Sequence, residues 1–298
     1  LQGGVLESDL LALKDPKELQ VSELPPNVDD LLMPRRGTGH LSILHQTLHI
    51  PADPINCRAC RLAKATKGYS RRREKSGMTC SGPDTIDTPF GSCFHIDHIA
   101  LKSGTTASKS AKFGLSIVDE KTGFRAMIPT NCRDAKDVVE KIHAFEGPDQ
   151  RARRWWTDNA PEFFAASRII RSFRPLAHFT GIPHRPQSNG VIERSNRLVI
   201  EGTNTCIFAC GADAKWWVCA APFFIAMLNG HQVQKDGTTA WSKRHGEECP
   251  FRLYPFGSLV FVKEPDALKK SEGKFVPKMT PCMLVGVGTT PGCKWDHT

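Results

Sequence analysis

The stretch "CFHIDHIAL" (93–101) predicts a β-strand, because apolar and β-branched residues dominate it, and it carries one acid, Asp97, in its middle. Burying an unpaired carboxylate is unfavourable, so an acid in such a strand needs a partner. Asp97 is therefore a candidate functional residue. The neighbouring His95 and His98 are expected to have structural roles.

The residues that follow predict a mixed α/β sheet with helices on both faces, since strand patterns alternate with helical ones. Pro161 stands at the expected first turn of one helix, where proline is favoured, and Phe164, Ile169 and Phe173 are expected along its apolar side. After the first strand, the predicted elements are a strand hairpin (112–129), a helix (133–146), a strand (152–158), a helix (161–173), a short strand (175–180) and two long helices (189–210 and 214–228).

The composition is that of a globular chain with more than one domain, because the 298 residues are 40% hydrophobic and 24% charged. A net charge of +9 favours a polyanionic partner such as nucleic acid, although a modest basic excess also occurs in proteins that bind none. The longest apolar run (216–228) is too short to cross a bilayer and contains Pro222, so no membrane partner is expected.

The first residues and the cysteines favour an intracellular protein. No secretory signal opens the sequence, and Leu1 in place of Met indicates a processed or truncated chain. The eleven cysteines, an odd number, favour reduced thiols and metal ligation over a disulfide framework. Cys206, Cys210 and Cys219 lie on apolar helical segments and are expected in the core rather than at a metal.

A His/Cys cluster in "HQTLHIPADPINCRAC" (45–60) has the spacing of a zinc site. His45 and His49 are four residues apart, which would place both imidazoles on one face of a helix, and Cys57 and Cys60 form a CxxC pair. These four side chains are the predicted ligands of tetrahedral Zn²⁺. His40 is an alternative first ligand, but the regular spacing to His49 favours His45.

Changes of composition along the chain predict five segments. The strongest local basic feature of the chain lies between Arg61 and Lys75, where seven Lys or Arg accompany one Glu. This stretch suits either a solvated tether or contact with phosphates. The segments are a poorly ordered lead-in (1–39), a zinc-binding module (40–66), a basic linker (67–90), a mixed-sheet core (91–235) and a small β-barrel-like module (250–298) that is expected to be truncated.

Two further acids are candidate partners of Asp97, namely Asp158, which ends a predicted strand, and Glu193, in the first turns of a long helix. Converging carboxylates repel each other unless they share divalent cations, and Mg²⁺ prefers such hard oxygen ligands. Two such ions support an in-line displacement at phosphorus. On spacing alone, however, Glu193 and Arg197 at i and i+4 are better interpreted as a surface ion pair.

The segments "WWTDNAPEF" (155–163) and "TGIPHRPQSNGVIERSNR" (180–197) resemble the integrase core of copia-type LTR retrotransposons, which carries TDN-x-x-EF and later PQ-x-NG-x-x-ER-x-NR. The resemblance extends from the His/Cys cluster to the end of the chain. It implies an RNase H-like fold in which Asp97, Asp158 and Glu193 are the catalytic acids that bind Mg²⁺ or Mn²⁺. It also implies Zn²⁺ in the N-terminal module.

By the same resemblance the activity is DNA integration, in which the 3′ ends of element DNA are processed and then joined to target DNA. DNA is therefore the expected partner, and the insertion of two ends implies a homo-oligomer. Gln187 and Asn189 are expected to position the DNA, and Arg194 and Arg197 to contact its phosphates. The chain would be part of a polyprotein and, if active, would work in a cytoplasmic particle and the nucleus.

Two departures from the family pattern leave alternatives open. The 34 residues between Asp158 and Glu193 are one fewer than is usual, and Ala160 and Pro161 replace the glycines that normally follow the Asp-Asn pair. Because proline stiffens the backbone beside a catalytic acid, one alternative is a decayed copy that binds DNA without turnover. Another is an RNase H-like nuclease that cuts DNA without joining strands.

Overall fold

A mixed sheet carries the predicted functional acids. The computed structural model of the protein describes residues 42–53, 56–63, 90–100, 111–181, 190–263 and 279–296. The sheet strands are β1 (Phe94–Ala100), β2 (Phe113–Asp119), β3 (Arg125–Thr130), β4 (Arg154–Thr157) and β5 (Ala177–Thr180). Their order is β3-β2-β1-β4-β5. β1 pairs antiparallel with β2, and β2 with β3, whereas β1 pairs parallel with β4, and β4 with β5.

Helices precede the sheet, alternate with its last strands and follow it. They are α1 (Ile43–Leu48), α2 (Arg58–Ala63), α3 (Ala135–Glu146), α4 (Pro161–Arg171), α5 (Gly190–Cys210), a 3₁₀ turn (Ala214–Trp216), α6 (Trp217–His231) and α7 (Ala240–His245). These bounds agree closely with the predicted helices, and the last predicted helix is preceded by the 3₁₀ turn and continues to His231.

The alternation of side chains along β1 shows that helices cover both faces of the sheet. Phe94 packs against Phe145 of α3 with ring centroids 5.1 Å apart, and His98 stacks on Phe163 of α4 at 4.9 Å. Asp97, which points to the opposite face, accepts a hydrogen bond from Asn196 of α5. Because successive strand residues point to opposite faces, α3 and α4 lie on one side and α5 on the other. This arrangement confirms the predicted fold class, an RNase H-like mixed sheet with helices on both faces.

The turn between β2 and β3 forms where the sequence predicts it. Gly123 adopts a positive φ of 70°, which glycine accommodates without a Cβ clash. The buried carboxylate of Asp119 accepts hydrogen bonds from the backbone N–H and hydroxyl of Thr122 at 2.8 and 2.7 Å. It also accepts one from the N–H of Gly91 at 3.1 Å. Asp119 therefore fixes the turn to the start of β1.

The apolar side predicted for α4 is wrong. Phe164, Ile169 and Phe173 are exposed by 38%, 37% and 56%. The residues that face the sheet follow the i, i+3, i+4, i+7 pattern instead. They are Phe163, Ala166, Ser167 and Ile170. The small Ala166 and Ser167 lie on this buried face, whereas the larger Phe164, Ile169 and Phe173 remain at the surface.

The end of the chain contains β-structure, as the sequence predicts. The strands β6 (Leu259–Val262) and β7 (Thr280–Met283) form one antiparallel pair, and β8 (Thr289–Thr290) and β9 (Lys294–Trp295) form another. Within 250–263 and 279–296 these are two separate two-stranded sheets. The β-barrel-like module (250–298) therefore stays a prediction, since the residues between β6 and β7 lie outside the described part.

The lead-in (1–39) and the linker (67–90), apart from Phe90, also lie outside the described residues. Both stay predictions. Within the residues that the structure describes, no helix combines the length and apolar character needed to cross a membrane.

Candidate active site and metal centre

Asp97 lies in β1, and Asp158 directly follows β4, the parallel neighbour of β1. The parallel register pairs His95 with Trp156, and Asp97 and Asp158 each follow that pair by two residues. The charge of Asp158 acts on the Asp97 carboxyl group, so the two acids lie near each other. Neighbouring strands are about 4.8 Å apart, which holds the two carboxylates close together. The acid predicted within the first strand and the acid predicted just past the fourth thus meet at one place on the sheet.

The electrostatics of Asp97 reflect this proximity. Burial, and after it the charge of Asp158, raises the pKa of Asp97 from 3.8 to about 6. A hydrogen bond from Asn196 and the charge of Arg133 act in the opposite direction. A like-charged neighbour disfavours ionisation of a carboxyl group, and a bound cation would relieve that repulsion. The two aspartates therefore offer a hard-oxygen site that suits Mg²⁺.

The helix α5 approaches Asp97 through Asn196, whose Nδ2 donates to Asp97 Oδ2 at 2.8 Å. Glu193 lies three residues earlier on α5 and is exposed. Among the described residues, neither group of three or more potential metal ligands within 4.8 Å of one another contains Glu193, Asp97 or Asp158. Convergence of Glu193 on the two aspartates therefore stays a prediction.

The alternative for Glu193, a surface ion pair, is not formed. Within 190–263 no ion pair joins Glu193 to Arg197, and both side chains are exposed. Arg194 is exposed as well and donates from its Nε to the carbonyl of Gly190 at 2.9 Å. The two arginines thus lie on the helix that reaches Asp97. Gln187 and Asn189, the other predicted DNA-binding residues, lie outside the described residues.

Ala160 and Pro161, the departure from the family pattern, are accommodated at the start of α4. Pro161 occupies the first helical position, where its missing N–H is not needed. Ala160 is the N-cap residue, and its backbone N–H donates to Asp158 Oδ1 at 3.1 Å. The Ala-Pro pair therefore begins a helix and orients the Asp158 carboxylate.

Arg133 is a feature of the site that sequence reasoning missed. Its charge lowers the pKa of Asp97, and its guanidinium lies 4.4 Å from the ring centroid of Phe113. Arg133 is exposed and precedes α3, far from Asp97 in sequence. Only the pairing of β3, β2 and β1 brings these residues together, so no local motif could have identified it.

The His/Cys cluster forms as the sequence predicts. His45, His49, Cys57 and Cys60 are all buried, and one potential ligand atom from each lies within 4.8 Å of the others. His49 differs from the helical expectation, because α1 ends at Leu48 and His49 is its C-cap with a φ of 53°. Its N–H still donates to the carbonyl of His45 at 2.7 Å, which keeps the two residues one turn apart.

The distances in this cluster fit tetrahedral zinc. His49 Nδ1 lies 3.4 Å from Cys57 Sγ and 3.6 Å from Cys60 Sγ, and His45 Nε2 lies 3.6 Å from Cys60 Sγ. With Zn–S of about 2.3 Å and Zn–N of about 2.05 Å, tetrahedral geometry separates sulfur and nitrogen ligands by about 3.6 Å. The residues present therefore fit a zinc module. The alternative ligand His40 lies outside the described residues.

The other described cysteines are free thiols. Cys206 is buried, and Cys210 and Cys219 are partly buried, in agreement with the expected core positions. Cys206 also links the sheet-covering helix to the His/Cys cluster, because its Sγ contacts the carbonyl of Thr47 in α1 at 3.9 Å.

Several solved structures resemble this chain. One is the HTLV-2 integrase catalytic core domain in complex with magnesium, in its trimeric form, with a TM-score of 0.41, 17% identity and coverage of 53% of this chain and 98% of that chain. Another is the simian T-cell lymphotropic virus intasome in complex with PP2A regulatory subunit B56 gamma. Its TM-score is 0.44, with 16% identity and coverage of 79% of each chain. No protein-family model matches the sequence.

Curated sequences give the clearer relationship. The chain is 24% identical over 160 residues to the retrovirus-related Pol polyprotein from transposon TNT 1-94 of Nicotiana tabacum, covering 51% of this chain and 12% of the polyprotein. It is 44% identical over 46 residues to the Pol polyprotein of equine infectious anemia virus (strain Wyoming), covering 15% of this chain and 4% of that protein. The chain thus spans only a small part of the length of these relatives. This similarity to retroelement Pol polyproteins confirms the resemblance to integrases of the LTR-retrotransposon type.

Proposed function

We propose that this chain is an integrase of an LTR retrotransposon, which processes the 3′ ends of element DNA and joins them to target DNA. The observation that carries the proposal is the proximity of Asp97 in β1 to Asp158 just past β4, where burial and the charge of Asp158 raise the pKa of Asp97 to about 6. Carboxylates that repel each other suit a cation site, and the bound cations would in turn attract phosphate oxygens.

Asp97, Asp158 and Glu193 would hold Mg²⁺ or Mn²⁺. When bound, such ions activate a hydroxyl or water as the nucleophile and stabilise the leaving oxygen at phosphorus. The chain itself orients the acids, since Asn196 donates to Asp97 and the backbone N–H of Ala160 donates to Asp158. These contacts fix the direction in which each carboxylate presents its oxygens.

The positively charged arginine side chains around the acids would position the DNA. Arg133, Arg194 and Arg197 are exposed, and each is a potential partner for a phosphate of the DNA end. Gln187 and Asn189 would help to position the reacting end. The zinc module, with His45, His49, Cys57 and Cys60 as ligands, and a second copy of the chain would complete an assembly that holds two DNA ends. We place that assembly in a cytoplasmic particle and then in the nucleus.

The proposal is tested with the full chain, Mg²⁺ and a labelled duplex that ends in the element terminus. We expect processed ends and strand-transfer products for the wild type. Asp158→Asn and Glu193→Gln should each lower both products by at least about 100-fold, because a group that stabilises transition-state charge is lost. The control Glu201→Gln, on the same helix α5, should retain wild-type yields.

The outcomes separate the alternatives. DNA binding with no product, for the wild type as well as Asp158→Asn, would support a decayed copy that only binds DNA. Cutting without joined strands would support an RNase H-like nuclease. Full activity in Glu193→Gln would remove Glu193 from the proposed site while leaving the two aspartates in it.

A further inference from the structure

A second group of metal-ligating side chains lies where β1 begins and β2 ends. Cys93, His95 and Glu120 each offer one potential ligand atom, and these three atoms lie within 4.8 Å of one another. This group is separate from the His/Cys module of α1 and α2. It also differs in chemistry from the two aspartates, because it combines a thiol, an imidazole and a carboxylate.

The sheet register builds this group. Phe94 pairs with Asp119 in the antiparallel ladder, and one residue further Glu120 donates its N–H to the carbonyl of Cys93 at 2.9 Å. Cys93 and Glu120 are therefore cross-strand neighbours, whose Cβ atoms are typically about 5 Å apart. Alternation along the strand places His95 on the same face as Cys93. His95 Nε2 consequently lies 3.5 Å from Glu120 Oε2.

The burial of His95 points to a ligand. Its side chain is 7% exposed, Nε2 makes only a long contact of 3.5 Å with Glu120 Oε2, and Nδ1 has no hydrogen-bond partner among the described residues. Buried polar side chains are normally hydrogen-bonded, so a buried imidazole whose Nδ1 is unpartnered among the described residues and whose Nε2 makes one long contact is an exception that needs a reason. The Glu120 side chain is 55% exposed, which leaves the group open to solvent on one side.

We propose that Cys93, His95 and Glu120 bind a zinc-class divalent cation, with water as the fourth ligand. Sulfur and imidazole ligands select Zn²⁺ over Mg²⁺, and three protein ligands with one open position are a common zinc arrangement. The ion would connect the start of β1 to the end of β2. One of its ligands, His95, lies two residues before Asp97. This site does not depend on the proposed DNA chemistry.

The competing interpretation is a hydrogen-bonded trio without metal. Burial and the neighbouring Glu120 raise the pKa of the Cys93 thiol to about 12, so in the absence of a cation the thiol stays protonated and is hydrogen-bonded to Glu120. A cation would replace that proton, because metal ligation deprotonates a thiol. Metal content therefore distinguishes the two interpretations.

The test is the zinc content of the full chain after loading with Zn²⁺ and exhaustive dialysis, measured by native mass spectrometry and elemental analysis. We expect two zinc ions per wild-type chain, one in the His/Cys module and one at this site. Cys93→Ser, His95→Gln and Glu120→Gln should each hold one ion fewer. Cys132→Ser, outside both groups, is the matched control and should keep two.

Circular dichroism identifies the variants that fold, and Glu120→Gln changes an exposed side chain, so at least this variant should fold normally. A wild-type chain with a single zinc ion would overturn the proposal. So would any folded variant of the three that still holds two. Because the readout is metal content, failure here is distinct from failure of DNA integration.

Discussion

At the scale of single residues, the Asp97 carboxyl group makes folding depend on pH. Its pKa is raised from 3.8 to about 6, first by burial and then by Asp158. Between these values the folded chain retains a proton that the unfolded chain has released, so stability falls as pH rises through this range. This loss of folding stability is absent below pH 3.8 and fully present above about pH 6. In the absence of a divalent cation it amounts to roughly 2–3 kcal/mol.

Asp97→Asn should remove this penalty. Without Mg²⁺, near pH 7, we expect the free energy of unfolding to rise by roughly 2–3 kcal/mol, because the neutral amide ends the repulsion and can still accept from Asn196. Near pH 4 the difference from the wild type should vanish, since Asp97 is then protonated. Urea unfolding at several pH values measures both quantities.

Asp149→Asn is the control, because Asp149 is exposed and lies apart from the site. Near pH 7 it should leave the free energy of unfolding unchanged. Equal stability of Asp97→Asn and the wild type near pH 7 would contradict the electrostatic account of the aspartate pair.

The sequence predicts the acids of the site better than their surroundings. Asp97 and Asp158 are identifiable because each interrupts or ends an apolar strand, and the motif around Glu193 identifies that helix. The direct contact between Asn196 and Asp97 depends on how α5 packs against β1, so it emerges only in the structure. Arg133 carried no local signal, because its proximity to Asp97 depends on the order of three strands.

At the scale of elements, strands and helix ends follow local rules, whereas the buried face of a helix depends on what it packs against. Pro161 and Gly123 mark a helix start and a turn that the structure contains. The buried face of α4 could not be chosen from hydrophobicity alone. Small residues, Ala166 and Ser167, meet the sheet there, and tertiary packing leaves Phe164 at the surface.

The crossing of α5 and α6 depends on a glycine. A Cβ atom at Gly202 would lie 2.1 Å from the ring of Phe224, which is fully buried and cannot move away. Gly202→Ala should therefore lower the free energy of unfolding by about 1–2 kcal/mol, because overpacking outweighs the gain in helix propensity. Chemical denaturation measures the change.

Gly190→Ala provides the comparison on the same helix. A Cβ atom at Gly190 has no neighbour within 4 Å among the residues that the structure describes, so this variant should be as stable as the wild type or slightly more stable. If Gly202→Ala proved equally tolerated, α5 and α6 would not be held together as closely as the structure indicates.

At the scale of the whole molecule, the described part of the His/Cys module has too little regular structure to be stable alone. α1 and α2 have six residues each. Isolated helices shorter than about 12–15 residues are marginal in water. Leu48 is buried in the main core, and Cys206 of α5 contacts Thr47, so the module is also anchored to the sheet-covering helix. Metal ligation and this anchoring together must hold it.

Cys60→Ser should therefore release the module while leaving the sheet folded. We expect backbone hydrogen exchange across 42–63 to accelerate by at least about tenfold, which corresponds to about 1.4 kcal/mol of local stability. The part of α5 around Cys206 should respond weakly through its contact with Thr47, and β1 to β5 should keep their protection. Cys282→Ser, at an exposed position in β7, should reproduce the wild-type pattern. Unchanged exchange across 42–63 would mean that packing on α5, rather than a metal, holds the module in place.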